Sequence, residues 1–328
     1  MREGDDNTMQ EAVLALLTVL LMLLALPTLV RAEEGASGHY APGAMASFFD
    51  AFPPKPGSLA LFGFYTHYKG SAEASREIRV AGLTTFGLEA TTDIATVGTF
   101  YRTKLRVLGG GLAFGAAVPV IWLDTRGTVA SQLGSLAAQD DASGIGDITL
   151  YPLMLGWVQK EGDLRYDIRL GVYAPTGSYE KNKLAVLGKN YWTIEPGIMV
   201  SYLGHKNGRE ASAYAAFDFN TKNEETDYQT GTQFHVDATL AQHLPLLGGV
   251  GGFGATGFYY QQITDDGGGG AALLDGFRGR TAGLGPVLSY LRKAGNHDLV
   301  SELKWLPELD VDRRLEGDFI WLKLALAF

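Results

Sequence analysis

The chain has 328 residues, enough for two small soluble domains or one large barrel, and its 43 Gly, well above the usual share of ~7%, argue against a mainly helical protein. The absence of Cys excludes disulfide staples, Cys-ligated metal and thiol catalysis. A formal charge of −9 argues against a nucleic-acid partner, because phosphate binding needs clustered Lys and Arg.

The first element is an apolar run over 12–30, interrupted by Pro27 and ending Val30-Arg31-Ala32. Small residues at the −3 and −1 positions of a cut after Ala32 make residues 1–32 an expected cleaved secretory signal. Glu3, Asp5, Asp6 and Glu11 depart from the positive region that a signal carries, and a start at Met9 would remove most of that acid. The run is also long enough for an uncleaved anchor, since ~17 residues can span. Either way the body is exported, and its expected location is the bacterial outer membrane.

Residues 33–57 are Pro-rich and lack alternation, which excludes ladder positions. This arm reads either as a periplasmic leader or as a plug inside a lumen, with His39, Tyr40, Pro42, Phe48 and Phe49 as the plug candidates. From Ser58 to Phe328 the chain reads strand, turn, strand, with twelve candidates: 58–69, 90–104, 110–123, 145–158, 163–175, 191–203, 210–220, 229–241, 249–262, 277–292, 297–305 and 314–328. These lengths suit tilted spanning strands of ~9–11 residues. Short connections at 160–162, 204–209, 242–248 and 293–296 alternate with longer ones at 70–89, 124–144, 176–190, 221–228, 262–276 and 306–313, the pattern of outer-membrane barrels. The expected fold is therefore all-β: one transmembrane antiparallel barrel over 58–328, with the arm as its irregular prelude.

The faces decide between a membrane barrel and a soluble one. In 314–328, Ile320, Leu322, Leu324, Leu326 and Phe328 alternate with Trp321, Lys323, Ala325 and Ala327, the two-residue period of a strand. Leu164, Tyr166, Ile168, Leu170 and Val172 alternate with Arg165, Asp167 and Arg169. Ile194, Ile198 and Val200 likewise oppose Glu195. Phe234, Val236 and Leu240 oppose His235 and Asp237, and Leu299, Leu303 and Trp305 oppose Glu302 and Lys304. A Lys or Arg facing lipid at the midplane would cost roughly 2–4 kcal/mol, so the charged face must be the inner one. Tyr101, Trp122, Trp157, Trp192, Tyr202, Tyr290 and Trp305 fall near strand ends, as interfacial girdles do. Strands 58–69, 90–104 and 277–292 alternate less cleanly, and Pro152 and Pro286 need bulges or strand ends.

Motifs for chemistry are few. Gly249-Val250-Gly251-Gly252-Phe253-Gly254 matches the dinucleotide fingerprint, but a strand follows it where a phosphate-binding helix is required. The six His are scattered at 39, 67, 205, 235, 243 and 297, which gives no local metal spacing, so no metal and no cofactor is expected. The inner-face charges Arg165, Asp167, Arg169, Glu195, Asp218, His235, Asp237, Glu302 and Lys304 read either as a network that props or fills the lumen or as the lining of a solute pathway. Twelve strands give a bore between the filled eight and the open sixteen, so a narrow or plugged passage is expected.

Several segments together resemble the outer-membrane proteins grouped as "MetA-pathway of phenol degradation". The matching residues are His39-Tyr40-x-Pro42-Gly43, Pro53-Pro54-x-Pro56-Gly57, Gly144-Ile145-Gly146-Asp147 and Tyr173-Ala174-Pro175-Thr176-Gly177-x-Tyr179. Gly188-x-Asn190-Tyr191-Trp192-Thr193-x-Glu195-Pro196-Gly197 continues the set. Asn223, Thr226 and Tyr228 follow, then Tyr260-Gln261-Gln262-x-Thr264-Asp265-Asp266 and Gly285-Pro286. The run Gly267 to Gly270 and the acidic leader depart from the pattern. The resemblance implies a barrel that takes up small hydrophobic or aromatic molecules, surrounded by outer-membrane lipid. The final strand, ending on Phe328, resembles the closing strand of such barrels, and that aromatic end is the expected handle for the barrel-assembly machinery. Two further readings stay open: a membrane-embedded hydrolase, and a structural or surface-binding barrel with a filled lumen.

Overall fold

The computed structural model describes residues 37–53, 55–74, 77–131, 134–269, 278–295 and 297–327; the expected signal over 1–32 and the terminal Phe328 lie outside them. A single turn of 3₁₀ helix, Phe48–Asp50, precedes fourteen strands. These are β1 (Leu59–Ser71), β2 (Glu77–Val80), β3 (Leu83–Val107), β4 (Gly110–Ser131), β5 (Gly134–Ile145), β6 (Ile148–Gln159) and β7 (Leu164–Ala174). Then come β8 (Thr193–Leu203), β9 (Arg209–Asn220), β10 (Gln233–Leu246), β11 (Gly249–Gln262), β12 (Arg280–Ala294), β13 (His297–Asp312) and β14 (Glu316–Ala327).

All ladders are antiparallel, and twelve of the strands close a barrel in the order β1-β3-β4-β6-β7-β8-β9-β10-β11-β12-β13-β14. Closure comes from β14 pairing with β1, from Ala60 opposite Ala327 to Ser71 opposite Glu316. The chain can span lipid in this form because closure leaves no unpaired edge. The twelve expected strands are the twelve of the barrel.

Three of the longer expected connections are largely strand, and the short one at 242–248 is strand as far as Leu246. Residues 70–89 and 124–144 contain β2 and β5, which pair with the loop-side ends of β3 and β4 and carry the sheet past the barrel rim. The β5 sequence, beginning Gly134-Ser-Leu-Ala-Ala-Gln-Asp-Asp, lacks an apolar alternation, whereas β2 alternates over only four residues, with Ile78 and Val80 buried. Residues 306–313 are also mostly strand, since β13 continues to Asp312. On the opposite end the turns are tight. Leu108-Gly109 and Leu247-Gly248 both take positive φ at two successive residues, the backbone of a type I′ hairpin turn. Pro152 sits where the β6–β7 register shifts, and Pro286 where the β12–β13 ladder is interrupted, so both avoid a missing ladder bond.

Large apolar side chains face outward, Ile168, Ile198, Leu240, Leu303, Leu322 and Leu324 among them, and the charged side chains predicted to face inward are buried. A small apolar cluster of Ile78, Val80, Leu88, Leu184 and Leu315 sits at the long-loop end. There the 175–192 connection is tied back by Asn182 N–H donating to the Ala81 carbonyl at 2.8 Å and by Asp140 accepting from the amides of Leu184 and Ala185, both at 3.2 Å.

Candidate functional site

The barrel interior holds residues 37–53. His39 meets Asp147 and Thr193 near the long-loop end, and Arg102 near the tight-turn end donates to the Pro53 carbonyl at 2.7 Å. The arm thus runs the length of the lumen before turning into β1. An irregular segment leaves its own amides and carbonyls unpaired, and at membrane depth such groups must find partners inside the protein. The inner-face charges supply them.

Asp237 on β10 accepts from the Tyr40 hydroxyl at 2.6 Å and from the amides of Gly43 and Met45 at 3.1 and 3.3 Å. Lys304 on β13 donates to the carbonyls of the same two residues, Gly43 at 3.1 Å and Met45 at 3.2 Å. Trp321 on β14 donates its indole N–H to the Pro42 carbonyl at 3.0 Å. Glu210 accepts from the Phe48 amide at 2.7 Å and is itself met by His243 Nε2 at 2.7 Å.

Asp50, which closes a capping box with Ser47, receives the Lys323 ammonium on both oxygens at 3.1 and 3.0 Å. Arg169 grips Asp167 through two 2.7 Å bonds and donates a further one to the Asp50 carbonyl at 3.1 Å. Glu302 lies between Lys304 and Lys323, at 3.2 and 3.3 Å. Phe52 is fully buried beside Ala113, Tyr151 and Met154, where Gly156 leaves room for its ring.

Of the residues singled out from sequence, Asp167, Arg169, Glu195, Asp218, His235, Asp237, Glu302 and Lys304 are all buried on the inner face. Arg165 shares that face lower down, half-buried, with its Nε outside any hydrogen bond. His39, Tyr40, Pro42 and Phe48 all pack within the lumen, and Phe49 lies against Phe64 with ring centroids 5.9 Å apart. Arg102, Asp147, Glu210, His243, Trp321 and Lys323 also hold the arm. Inner-face parity on β14 marks Trp321 and Lys323, and the same parity on β10 marks His243, so these three had a sequence signal. Asp147 lies between strands, where parity gives no signal, and only the Gly144-Ile145-Gly146-Asp147 motif pointed to it.

Burial alone would raise the Asp147 carboxyl, but the His39 ring and the amides of Lys189 and Gly177 outweigh it and hold the group below the usual carboxylate range. Burial pushes Arg314, in the β13–β14 connection and 4.2 Å above the Tyr260 ring, down to about 9.

The arm does not fill the lumen. A cavity of about 320 Å³ remains between it and the wall made by β1, β3 and β4. That wall is Phe64 and Thr66, Ile94 and Thr96, and Ala117, Pro119 and Ile121, with no ionised group. Tyr40, Pro42 and Met45 of the arm form the facing side, and Val186, Leu187 and Leu315 the long-loop end. This explains why β1 and β3 alternate poorly in sequence: their inner face is apolar as well as their outer one.

Lipid-facing alternation, closure of twelve strands and a polar interior define a transmembrane β-barrel of the bacterial outer-membrane type. A family model matches residues 75–324, and the chain belongs to that family, described as "Putative MetA-pathway of phenol degradation". The fold is similar to that of the COG4313 outer membrane channel from Pseudomonas putida F1, with a TM-score of 0.59 and 16% identity over 85% of this chain and 98% of that one. The beta domain of the Bordetella autotransporter BrkA gives a TM-score of 0.46 and 10% identity over 82% and 98% of the two chains. No curated protein sequence matches the chain.

Proposed function

We propose that the protein is an outer-membrane channel that admits small hydrophobic or aromatic molecules, with the arm over 33–57 as a removable plug. The observation that carries this is the uncharged wall that β1, β3 and β4 give to one side of a cavity of about 320 Å³, whose remaining lining includes Asp147, Lys189, Glu195, Glu308 and Arg314. That volume lies at the lower end of the ~300–1,000 Å³ of small-molecule sites, room for a small solute. The inner-face charges serve first as the plug's partners and become pathway lining when the plug leaves. Export by a signal cut after Ala32 places the start of the arm immediately before the segment that enters the barrel.

Deleting Glu33–Lys55 tests the reading. Single-channel conductance in planar bilayers rises in the deletion variant, and outer-membrane flux of small phenols rises with it. Equal conductance in the two proteins refutes the plug; a conductance rise without phenol flux refutes the solute class.

A further inference from the structure

We propose that Glu195, Asp218 and His235 form a binding site for one divalent transition-metal ion of the zinc class, on the lumen wall behind the arm. The three side chains project inward from consecutive strands β8, β9 and β10, and one donor atom from each lies within 4.8 Å of the others. All three are buried, with exposures of 2%, 0% and 0%.

Their spacing is wrong for hydrogen bonding and suits coordination. His235 Nε2 stands 3.5 Å from Asp218 Oδ1 and 3.7 Å from Glu195 Oε2. Both oxygens of Asp218 and both ring nitrogens of His235 lack a hydrogen-bond partner. The same lumen shows what a hydrogen-bonded His–carboxylate pair looks like, since His243–Glu210 closes to 2.7 Å and His39–Asp147 to 2.8 Å. Bonds of ~2.0–2.2 Å to a tetrahedral ion set imidazole and carboxylate donors about 3.3–3.5 Å apart. One imidazole and two carboxylates are ordinary zinc ligands, and three protein donors leave a fourth position for a solvent oxygen.

The surroundings resemble those of a built site. Glu195 is oriented by two phenols, Tyr173 donating to Oε2 at 2.7 Å and Tyr214 donating to Oε1. Such outer partners fix a ligating carboxylate. The Tyr40 ring stacks on His235 with centroids 3.9 Å apart, and its hydroxyl is pinned by Asp237. The nearby cations are engaged elsewhere, Arg169 by Asp167 and Lys304 by Glu302, so the charge that faces the two buried carboxylates is that of a protonated His235, which a bound ion would replace. Glu195, His235 and Tyr214 all border the cavity, which gives an ion a way in.

The test uses the full-length mature chain without a His tag, folded in detergent and stripped with a chelator. Equilibrium dialysis against ZnCl2 with elemental analysis is expected to give one zinc per chain, and CoCl2 to give the intense visible bands of a four-coordinate ion. Asp218→Asn and His235→Ala, each shown to be folded by heat-modifiable gel migration, lose affinity by at least about 100-fold. Tyr173→Phe, which removes only an outer partner, loses ~10–100-fold. His205→Ala, whose ring is exposed in the turn between β8 and β9 beside Asp163, binds as the parent does. No stoichiometric zinc in the folded parent overturns the proposal, as does unchanged binding in both Asp218→Asn and His235→Ala. A folding failure in one of these variants leaves the other, and the parent stoichiometry, to decide.

Discussion

Tyr40→Phe isolates one bond of the arm. The substitution keeps the ring on His235, at a 3.9 Å centroid separation, and deletes only the hydroxyl that donates to Asp237 at 2.6 Å. A hydrogen bond to a buried carboxylate contributes ~1.5–3 kcal/mol. Asp237 keeps the amides of Gly43 and Met45, so it is not left bare and the loss should not exceed that range. At ~1.4 kcal/mol per factor of ten, the undocked population of the arm rises about 10- to 150-fold. The chain contains no Cys, so Ala44→Cys gives a single thiol on the arm. Its rate of maleimide labelling in the folded barrel follows the fraction of time the arm is out. Tyr40→Phe should accelerate labelling by that factor, and Asp237→Asn at least as much, with the unfolding midpoint of the barrel itself unchanged. Equal labelling rates in parent and Tyr40→Phe would refute the claim that this contact retains the arm.

The buried Lys323–Asp50 pair predicts a different pattern, because removing one member leaves the other uncompensated. Lys323→Met alone should cost ~3–5 kcal/mol in urea unfolding from lipid vesicles, while Lys323→Met with Asp50→Asn recovers part of the loss, and additive losses would show that the pair is not coupled. One residue earlier the rule inverts: Leu322 faces lipid, so Leu322→Arg should cost roughly 2–4 kcal/mol in the same assay, although Lys323 beside it is tolerated. A side chain on Gly156 would run into the ring of Phe52, so Gly156→Leu should expel the tight-turn end of the arm and raise conductance without loss of the barrel's heat-modifiable migration.

Acid should loosen the other end. The folded pKa of Asp147 lies below its unfolded value of ~3.9, so its contribution is complete above that value and fades as pH falls through the lower folded one. Proteolysis near His39 should therefore increase only below about pH 4, and Asp147→Asn should abolish that dependence.

Much of the fold was legible because the membrane imposes a period. Where lipid meets one side and the arm's bonding groups the other, as on β7, β8, β10 and β14, the two-residue alternation assigns each face without ambiguity. It was weaker at β1, β3 and β12: Phe64 on β1 and Ile94 on β3 turn toward a wall without charge, so both faces read alike, and β12 carries Gly283, Gly285 and Pro286 where an alternation needs side chains. The rim strand β5 is exposed along most of its length and no periodicity marks it, while β2, with Ile78 and Val80 buried, is only four residues long and too short for its alternation to stand out. The grouping of Glu195, Asp218 and His235 was hidden in another way. Parity gave each residue its face, but only the register, which sets Gln233 opposite Asp218 and Ala216 opposite His235, gives their common depth.

The distribution of charge inside the barrel follows from these cases. Charges on β10, β13 and β14 coincide with exposed backbone groups of the arm: Asp237 and Lys304 meet the amides and carbonyls of Gly43 and Met45, and Lys323 meets the side chain of the turn at Asp50. Where the arm presents the apolar rims of Tyr40, Pro42 and Met45 instead, the wall opposite carries no charge and the cavity opens. The charges on β10, β13 and β14 that meet the arm are thus its footprint, and in the proposed reading the uncharged strip is the wall that a solute would use. A lumen evolved only to be filled would have no reason to keep that strip apart from the arm by about 320 Å³.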